Sequence, residues 1–331
     1  MSSTGATRTA GTSLDRPISL PLGRRELLAA VVSACLVSYL IRKTSPGLLV
    51  QTAAALDWPP LIAATILLVL GLYFWDAICV AWLFTKPQRP LYFRTALAAR
   101  GTSYLLSALN YELGQGLLAW KVARAQGRSA LATVGYLMLL AYHDLGVLLS
   151  LGLVGALLSE DTRAGALQLF CGGALLALAG VALVASRLPC AWRDRLAQTR
   201  WGAWMGDWTW RQSIQLCLLR GVYYLILMTY AVVGLAICRI PASLAVVCSV
   251  VPLVLLVDGL PISVSGLGTR ETAMLYLLHP DRPEVVLAFS LVWSTGLVLG
   301  RLALGLAHWW IPLAIAKMNE CPGRREEAGQ C

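Results

Sequence analysis

"VDGLPISVSGLGTRET", residues 257–272, sets glycines, a proline, an aspartate, an arginine and a glutamate between two apolar runs. Whether it is a surface loop or a break at membrane depth depends on the chain around it. Of the 331 residues, 58% are hydrophobic and 13% charged. An ordinary soluble domain is about half apolar and about a quarter charged. Runs 59–84, 130–158, 164–186, 213–237 and 284–316 each exceed the roughly 20 helical residues that cross ~30 Å of hydrocarbon. The shorter run 26–41 is expected to span with help from its flanks. The chain reads as a polytopic α-helical membrane protein, and the quoted stretch as a break inside the bilayer.

The net charge of +10 is carried by basic residues in loops beside the apolar runs. The positive-inside rule accounts for them, and no nucleic-acid partner is implied. Arg8, Arg16, Arg24 and Arg25 place the N-terminus in the cytoplasm. The groups 86–100, 121–128, 187–211 and 317–325 mark further cytoplasmic stretches, with 157–165 and 279–284 outside. Both termini are therefore expected on the cytoplasmic side of the cell's inner membrane. The first apolar run continues past Cys35 to Ile41, beyond any signal-like cleavage point, so an uncleaved first helix is expected. The nine cysteines show no CxxC spacing and read as packing residues; no disulfide framework, metal site or cofactor is expected.

Residues 1–23 and 319–331 are polar tails, expected to be disordered and cytoplasmic, flanking a single transmembrane domain over 24–318. Within it, "RLPCAWRDRLAQTRWGAWMGDWTWR" (187–211) alternates tryptophan with arginine. That pattern predicts an amphipathic helix over about 190–211 lying on the cytoplasmic surface.

Two stretches do not fit simple spans. "RGTSYLLSALNYELGQGLLAWK" (100–121) is apolar, is flanked by basic residues at both ends, and is interrupted by Asn110, Glu112, Gly114 and Gly116. The other runs from Ile240 to His279 and is broken over Asp258–Glu271. Non-helical backbone at membrane depth survives only when buried in protein or lining a wet cavity. Each stretch is therefore predicted to enter and return. "GQG" (114–116) and "GLG" (266–268) both open an apolar helix with a glutamate nearby. The expected fold is an all-α transmembrane helical bundle with two opposed re-entrant helical hairpins, in the manner of inverted-repeat transporters.

A charged group at mid-bilayer costs roughly 2.5–3.5 kcal/mol, so each one needs a reason. Beyond the two breaks, Asp144 and Arg301 lie well inside apolar runs, and Arg220 lies near enough to an end to snorkel. One reading pairs these groups with each other to pin the bundle. The other makes them a site. A helix opening at Gly266–Thr269 presents free N–H groups and a positive dipole end, which with Arg270 suits an anion such as a lipid phosphate. Glu271 is left to meet a cation or carry a proton, because neighbouring residues on a helix do not face each other. Asn110, Glu112, Asp144, Asp258, Pro261, Gly266, Gly268, Arg270, Glu271 and Arg301 are the candidate substrate-binding residues.

"LPISVSGLGTRE" (260–271) resembles the Pro-Ile-Ser…Gly-x-Gly-x-Arg-Glu signature of the lysylphosphatidylglycerol-synthase transmembrane, or flippase-like, family, and the resemblance extends over roughly 25–318. Pro261, Gly266, Gly268, Arg270 and Glu271 match it directly. Arg301 falls where similar proteins often carry an arginine. Asn110 and Asp144 look like the asparagine of the family's first motif and its following intramembrane aspartate. The first motif departs from the pattern, reading "NYELGQGLLAWK" without a proline. The resemblance implies a membrane module that moves or presents a lipid, without an aminoacyltransferase domain and with no synthase activity of its own.

Three functions follow as expectations. The first is a lipid flippase or transporter, not an enzyme, holding a phospholipid or polyisoprenyl-linked headgroup between the two hairpins. The second is a non-catalytic membrane partner for an enzyme of lipid or cell-envelope glycan synthesis. Homo-oligomerisation is open in either case. The third is an intramembrane protease built on Ser265 and His308, which requires the histidine to reach the serine as general base. The predicted separation of the two residues disfavours it.

Overall fold

The computed structural model describes residues 24–43, 45–85, 90–108, 110–160, 164–187, 199, 208–259, 266, 268–278 and 282–309. Among them all regular structure is helical. In chain order the helices are α1 (Arg24–Lys43), α2 (Pro46–Ala54), α3 (Trp58–Phe84), α4 (Phe93–Ser107), α5 (Tyr111–Gln126) and α6 (Ala130–Leu158). Then follow α7 (Ala164–Arg187), α8 (Trp210–Ile237), α9 (Leu244–Asp258), α10 (Thr269–Leu278) and α11 (Pro283–Trp309). The helices α3, α6, α7, α8 and α11 are long and apolar enough to cross a membrane. Their limits follow the apolar runs closely, because hydrocarbon thickness sets where such a run must begin and end.

Apart from α1, with 20 residues, the remaining helices are short. Those of α4 and α5, with 15 and 16 residues, are about 22–24 Å long at 1.5 Å per residue, less than the hydrocarbon thickness. They pack on each other as a helical hairpin. At its turn Asn110 caps α5, its side-chain oxygen accepting from Glu112 N at 2.8 Å and Leu113 N at 3.3 Å. A Cβ at Gly114 would lie 1.8 Å from Ser107 Oγ, so only glycine lets the two limbs approach this closely. A left-handed Gly127 ends α5.

Two expectations change here. The break falls between Ser107 and Tyr111, and "GQG" lies inside the opening turns of α5 instead of opening it. The limbs also extend outward to Phe93 and Gln126, which puts Arg100 and Lys121 within them and not at their cytoplasmic ends.

The second hairpin is α9 with α10, packed side by side. Ser243 caps α9 by accepting from Val246 N at 3.3 Å. Of the connection, Gly259, Gly266 and Gly268 are described, while Pro261 lies outside the described residues. Gly266 and Gly268 have φ of +78° and +90°, a region that strains any residue with a Cβ. As expected, a helix opens immediately after them, at Thr269.

Several other expectations meet the structure. The run 26–41 lies within α1, and α2 follows it without having been anticipated. Most of the expected surface helix, 190–211, lies outside the described residues, as do both tails and the chain beyond Trp309. Its last residues, Trp210 and Arg211, belong to α8, which begins with a capping box formed by Thr209 and Gln212.

Two apolar cores organise the bundle. One joins α3, α8, α9 and α11 around Phe289, Trp293 and Tyr230; the other joins α3, α4, α5 and α6 around Phe84, Leu118, Val122 and Tyr136. Helix α7 packs along α6 but buries little of its surface, with Leu169 80% and Leu176 76% exposed. An apolar helix this exposed suits hydrocarbon and not water.

Candidate functional site

Charged side chains meet inside the bundle in two clusters, one beside each hairpin. In the first, Asp76 on α3 stands between two arginines. Arg100 on α4 donates from Nε to Asp76 Oδ2, and Arg220 on α8 donates from Nη1 to Asp76 Oδ1 at 3.0 Å. Arg220 also forks onto Asp144 of α6, from Nε to Oδ1 and from Nη2 to Oδ2 at 2.9 Å. The result is a neutral chain, Arg100–Asp76–Arg220–Asp144, drawn from four helices. Bidentate guanidinium–carboxylate pairs are the strong form of this contact, and they are what allows four charges to sit among apolar helices.

Tyrosines line the chain. Arg220 lies 4.1 Å from the centroid of the Tyr223 ring and Arg100 5.2 Å from that of Tyr104. Arg301 of α11 also stands near this ring, 5.8 Å from the Tyr104 centroid. Arg301 makes no ion pair among the described residues. Three arginines against two aspartates leave the cluster with one uncompensated positive charge. Gln115, Asp144, Tyr223 and Arg301 are half-buried and Tyr111 is exposed, so this side of the cluster is open.

The second cluster gathers at the start of α10. Arg270 donates from Nη2 to Asp258 Oδ2 at the end of α9, and from Nη1 to Ser294 Oγ of α11 at 3.2 Å. Ser294 Oγ donates to Glu271 Oε1 at 2.6 Å, and Gly268 N donates to Glu271 Oε2, also at 2.6 Å. Glu271 is fully buried and Arg270 is 2% exposed. Gly266 rests against Asp258: a Cβ there would meet Oδ1 at 1.4 Å. As the sequence implied, Arg270 and Glu271 do not pair with each other. Both are held by protein atoms and meet through Ser294, and Glu271 takes the Gly268 N–H at the helix start where a phosphate was expected.

The candidate residues thus divide. Asp144 joins the first cluster with Arg301 at its edge; Asp258, Gly266, Gly268, Arg270 and Glu271 form the second. Asn110 is a helix cap and Glu112 is exposed beside it. No hydrogen bond or ion pair joins the two clusters among the described residues. They share α11, on which Ser294 and Arg301 are seven residues, or about 10 Å, apart on one face.

Arg220 does not snorkel: it is 5% exposed and holds two carboxylates. Asp76, Arg100 and Ser294 were not anticipated. Asp76 carried a usable signal, since it is an acid inside the apolar run 59–84, governed by the same rule as Asp144. Arg100 was masked by its basic neighbours in sequence.

His308 hydrogen-bonds Tyr73 through Nε2 at 2.8 Å and sits against Gly101, in the role of a packed interhelical link. Ser265 lies outside the described residues.

Five helices able to cross a bilayer, with ion pairs turned inward and apolar faces outward, define a multi-pass helical membrane protein. Comparisons with protein-family models, curated proteins and solved structures find no match to this chain.

Proposed function

We propose that this protein binds an anionic lipid headgroup and moves or presents that lipid across the inner membrane, in the manner of a flippase. The observation that carries the reading is Arg301. It is a charged side chain within a spanning helix, half-buried and without a carboxylate partner among the described residues, beside an ion-pair chain that is otherwise neutral. An unpaired intramembrane charge points to a substrate pathway, and a guanidinium suits phosphate oxygens bidentately. The headgroup would lie along α11 between the two hairpins, with its acyl or isoprenoid chains left in the bilayer. The short limbs of α4/α5 and α9/α10 support re-entrant hairpins, and the basic flanks in the sequence are what favour entry from opposite faces, as an inverted repeat, with both termini cytoplasmic. No catalytic group or cofactor enters this reading.

The test reconstitutes the purified protein in vesicles with fluorescent phospholipid and measures its loss from the inner leaflet pool. Arg301→Ala is expected to slow movement at least tenfold while the protein stays folded. Unchanged movement in that variant would overturn the role of Arg301. No movement by the unaltered protein alone, with recovery when a copurifying synthesis enzyme is added, would favour the partner reading.

A further inference from the structure

We propose that a cavity at one end of the bundle, apart from both ion-pair clusters, binds an uncharged hydroxylated ring, the chemistry of a sugar. The cavity has a volume of about 220 Å³ and lies among the C-terminal end of α3, the first turns of α6 and the start of α8. Its aromatic walls are Trp82, Tyr136 and Trp208, and its polar groups come from Thr85, Gln212 and Gln215. None of these residues belongs to a charged cluster or to α11, so the site is separate from the headgroup path proposed above. The basic loops of the sequence assign this end to the cytoplasm.

Protein contacts fix the walls before a ligand arrives. Trp82 and Trp208 meet at right angles, their ring centroids 6.2 Å apart and their planes at 89°. Trp208 donates from Nε1 to Ser213 Oγ at 2.8 Å, and its ring stands 6.1 Å from that of His143. Tyr136 is buried, edge-on to Phe84 at 5.6 Å. A corner already held in place loses little conformational entropy on binding. The polar groups are held too, with donors to spare. Gln212 Oε1 is occupied by the helix cap, accepting from Thr209 N at 2.8 Å and from Thr209 Oγ1 at 2.9 Å, which leaves the amide N–H groups for the cavity. Gln215 and the indole N–H of Trp82 make no hydrogen bond among the described residues.

These groups choose the ligand. Aromatic walls with a few placed polar groups are the usual build of a small-molecule site. The electron-rich face of an indole suits the C–H face of a sugar ring, and primary amides exchange hydrogen bonds with the hydroxyls around its rim. Among the described residues no charged side chain lines the cavity, so a phosphate would find no cation there. An aromatic corner can also hold a quaternary ammonium. Here such an ion would meet no carboxylate, would lie close to the exposed Arg211, and would join a chain of net charge +10. The volume is below the roughly 300–1,000 Å³ of drug-sized sites, which suits a single ring.

The test uses the full chain in lipid nanodiscs. One arm measures saturation-transfer NMR with free glucose, galactose, mannose and N-acetylglucosamine, and with tetramethylammonium as the competing class. The other arm dopes the nanodiscs with monoglucosyl diacylglycerol and detects retained lipid by native mass spectrometry. A sugar or the glycolipid is expected to bind. Trp82→Phe and Gln215→Ala are each expected to weaken binding about fivefold, the loss of one hydrogen bond. Gln212→Glu keeps a cap oxygen, removes the amide donors, and is expected to weaken it as much. Gln215 is exposed, so its variant keeps the fold and decides the matter if another does not. Binding of free sugar alone assigns a soluble ligand and binding of glycolipid alone a lipid headgroup; either upholds the site. Tetramethylammonium bound in place of the sugars, no probe bound, or affinity unchanged in Gln215→Ala would each overturn it. None of these readouts involves lipid movement, so this site and the proposed function stand or fall separately.

Discussion

Asp76 Oδ1 accepts from Arg220 Nη1 at 3.0 Å, joining α3 to α8 across 144 positions of sequence, while the other oxygen of the same carboxylate takes Arg100. One aspartate thereby bridges two buried arginines and makes α4, the first limb of the hairpin, part of the bundle. Asp76→Ala is expected to strand the Arg100 guanidinium, leave Arg220 with Asp144 alone, and destabilise the protein by about 3–5 kcal/mol, the usual result of removing one partner from a buried ion pair. Thermal unfolding in detergent measures it. Combining Asp76→Ala with Arg100→Met should recover part of the loss, and no recovery would show that the two residues are not coupled.

Arg270→Ala and Glu271→Ala are both expected to unfold the second hairpin more readily. The first leaves Asp258 as a half-buried carboxylate without its guanidinium. The second leaves the Gly268 N–H and the Ser294 hydroxyl without an acceptor, at about 1–3 kcal/mol for each stranded group. The sequence reading, with both residues facing a ligand, expects folded but inactive variants. Thermal unfolding alongside lipid movement separates the two outcomes.

Gly266→Ala is expected to destabilise the protein more than an ordinary surface substitution. Its φ of +78° penalises a Cβ by roughly 1–2 kcal/mol. The new methyl would also collide with Asp258, which Arg270 holds in place. An unfolding midpoint within error of the unaltered protein would show that Asp258 has room to move.

The ends of the first hairpin give a direct test of topology. In a background without native cysteines, Tyr92→Cys and Ala125→Cys are expected to react with a membrane-impermeant thiol reagent from the same side. Reaction from opposite sides would make α4 and α5 together a crossing of the membrane.

The long helices were legible because their limits are set by one physical length. The expected run 130–158 coincides with α6, and 59–84 differs from α3 by one residue. The hairpins were legible from glycines and polar residues that hydrocarbon does not tolerate without a reason. Charge pairing was not legible. Arg100 lies in a basic neighbourhood, and sequence position alone does not distinguish an arginine facing lipid headgroups from one turned inward toward Asp76. The partner of Arg220 depends on how α8 is rotated against α3 and α6, which apolar composition on all sides leaves unspecified. Glu271 was read as an available carboxylate because its acceptors' partners, a backbone N–H and a serine hydroxyl, leave no signature in sequence.

That last contact has a kinetic meaning. The N-terminus of α10 is the kind of socket that attracts phosphate, and the protein has plugged it with its own carboxylate, tethered three residues away. An incoming anion is a competitor for that seat and must evict an intramolecular rival whose effective concentration no free ligand matches. Toward such an anion Glu271 would be an internal competitor. The second hairpin would become receptive only once the Glu271 carboxylate has left the Gly268 N–H.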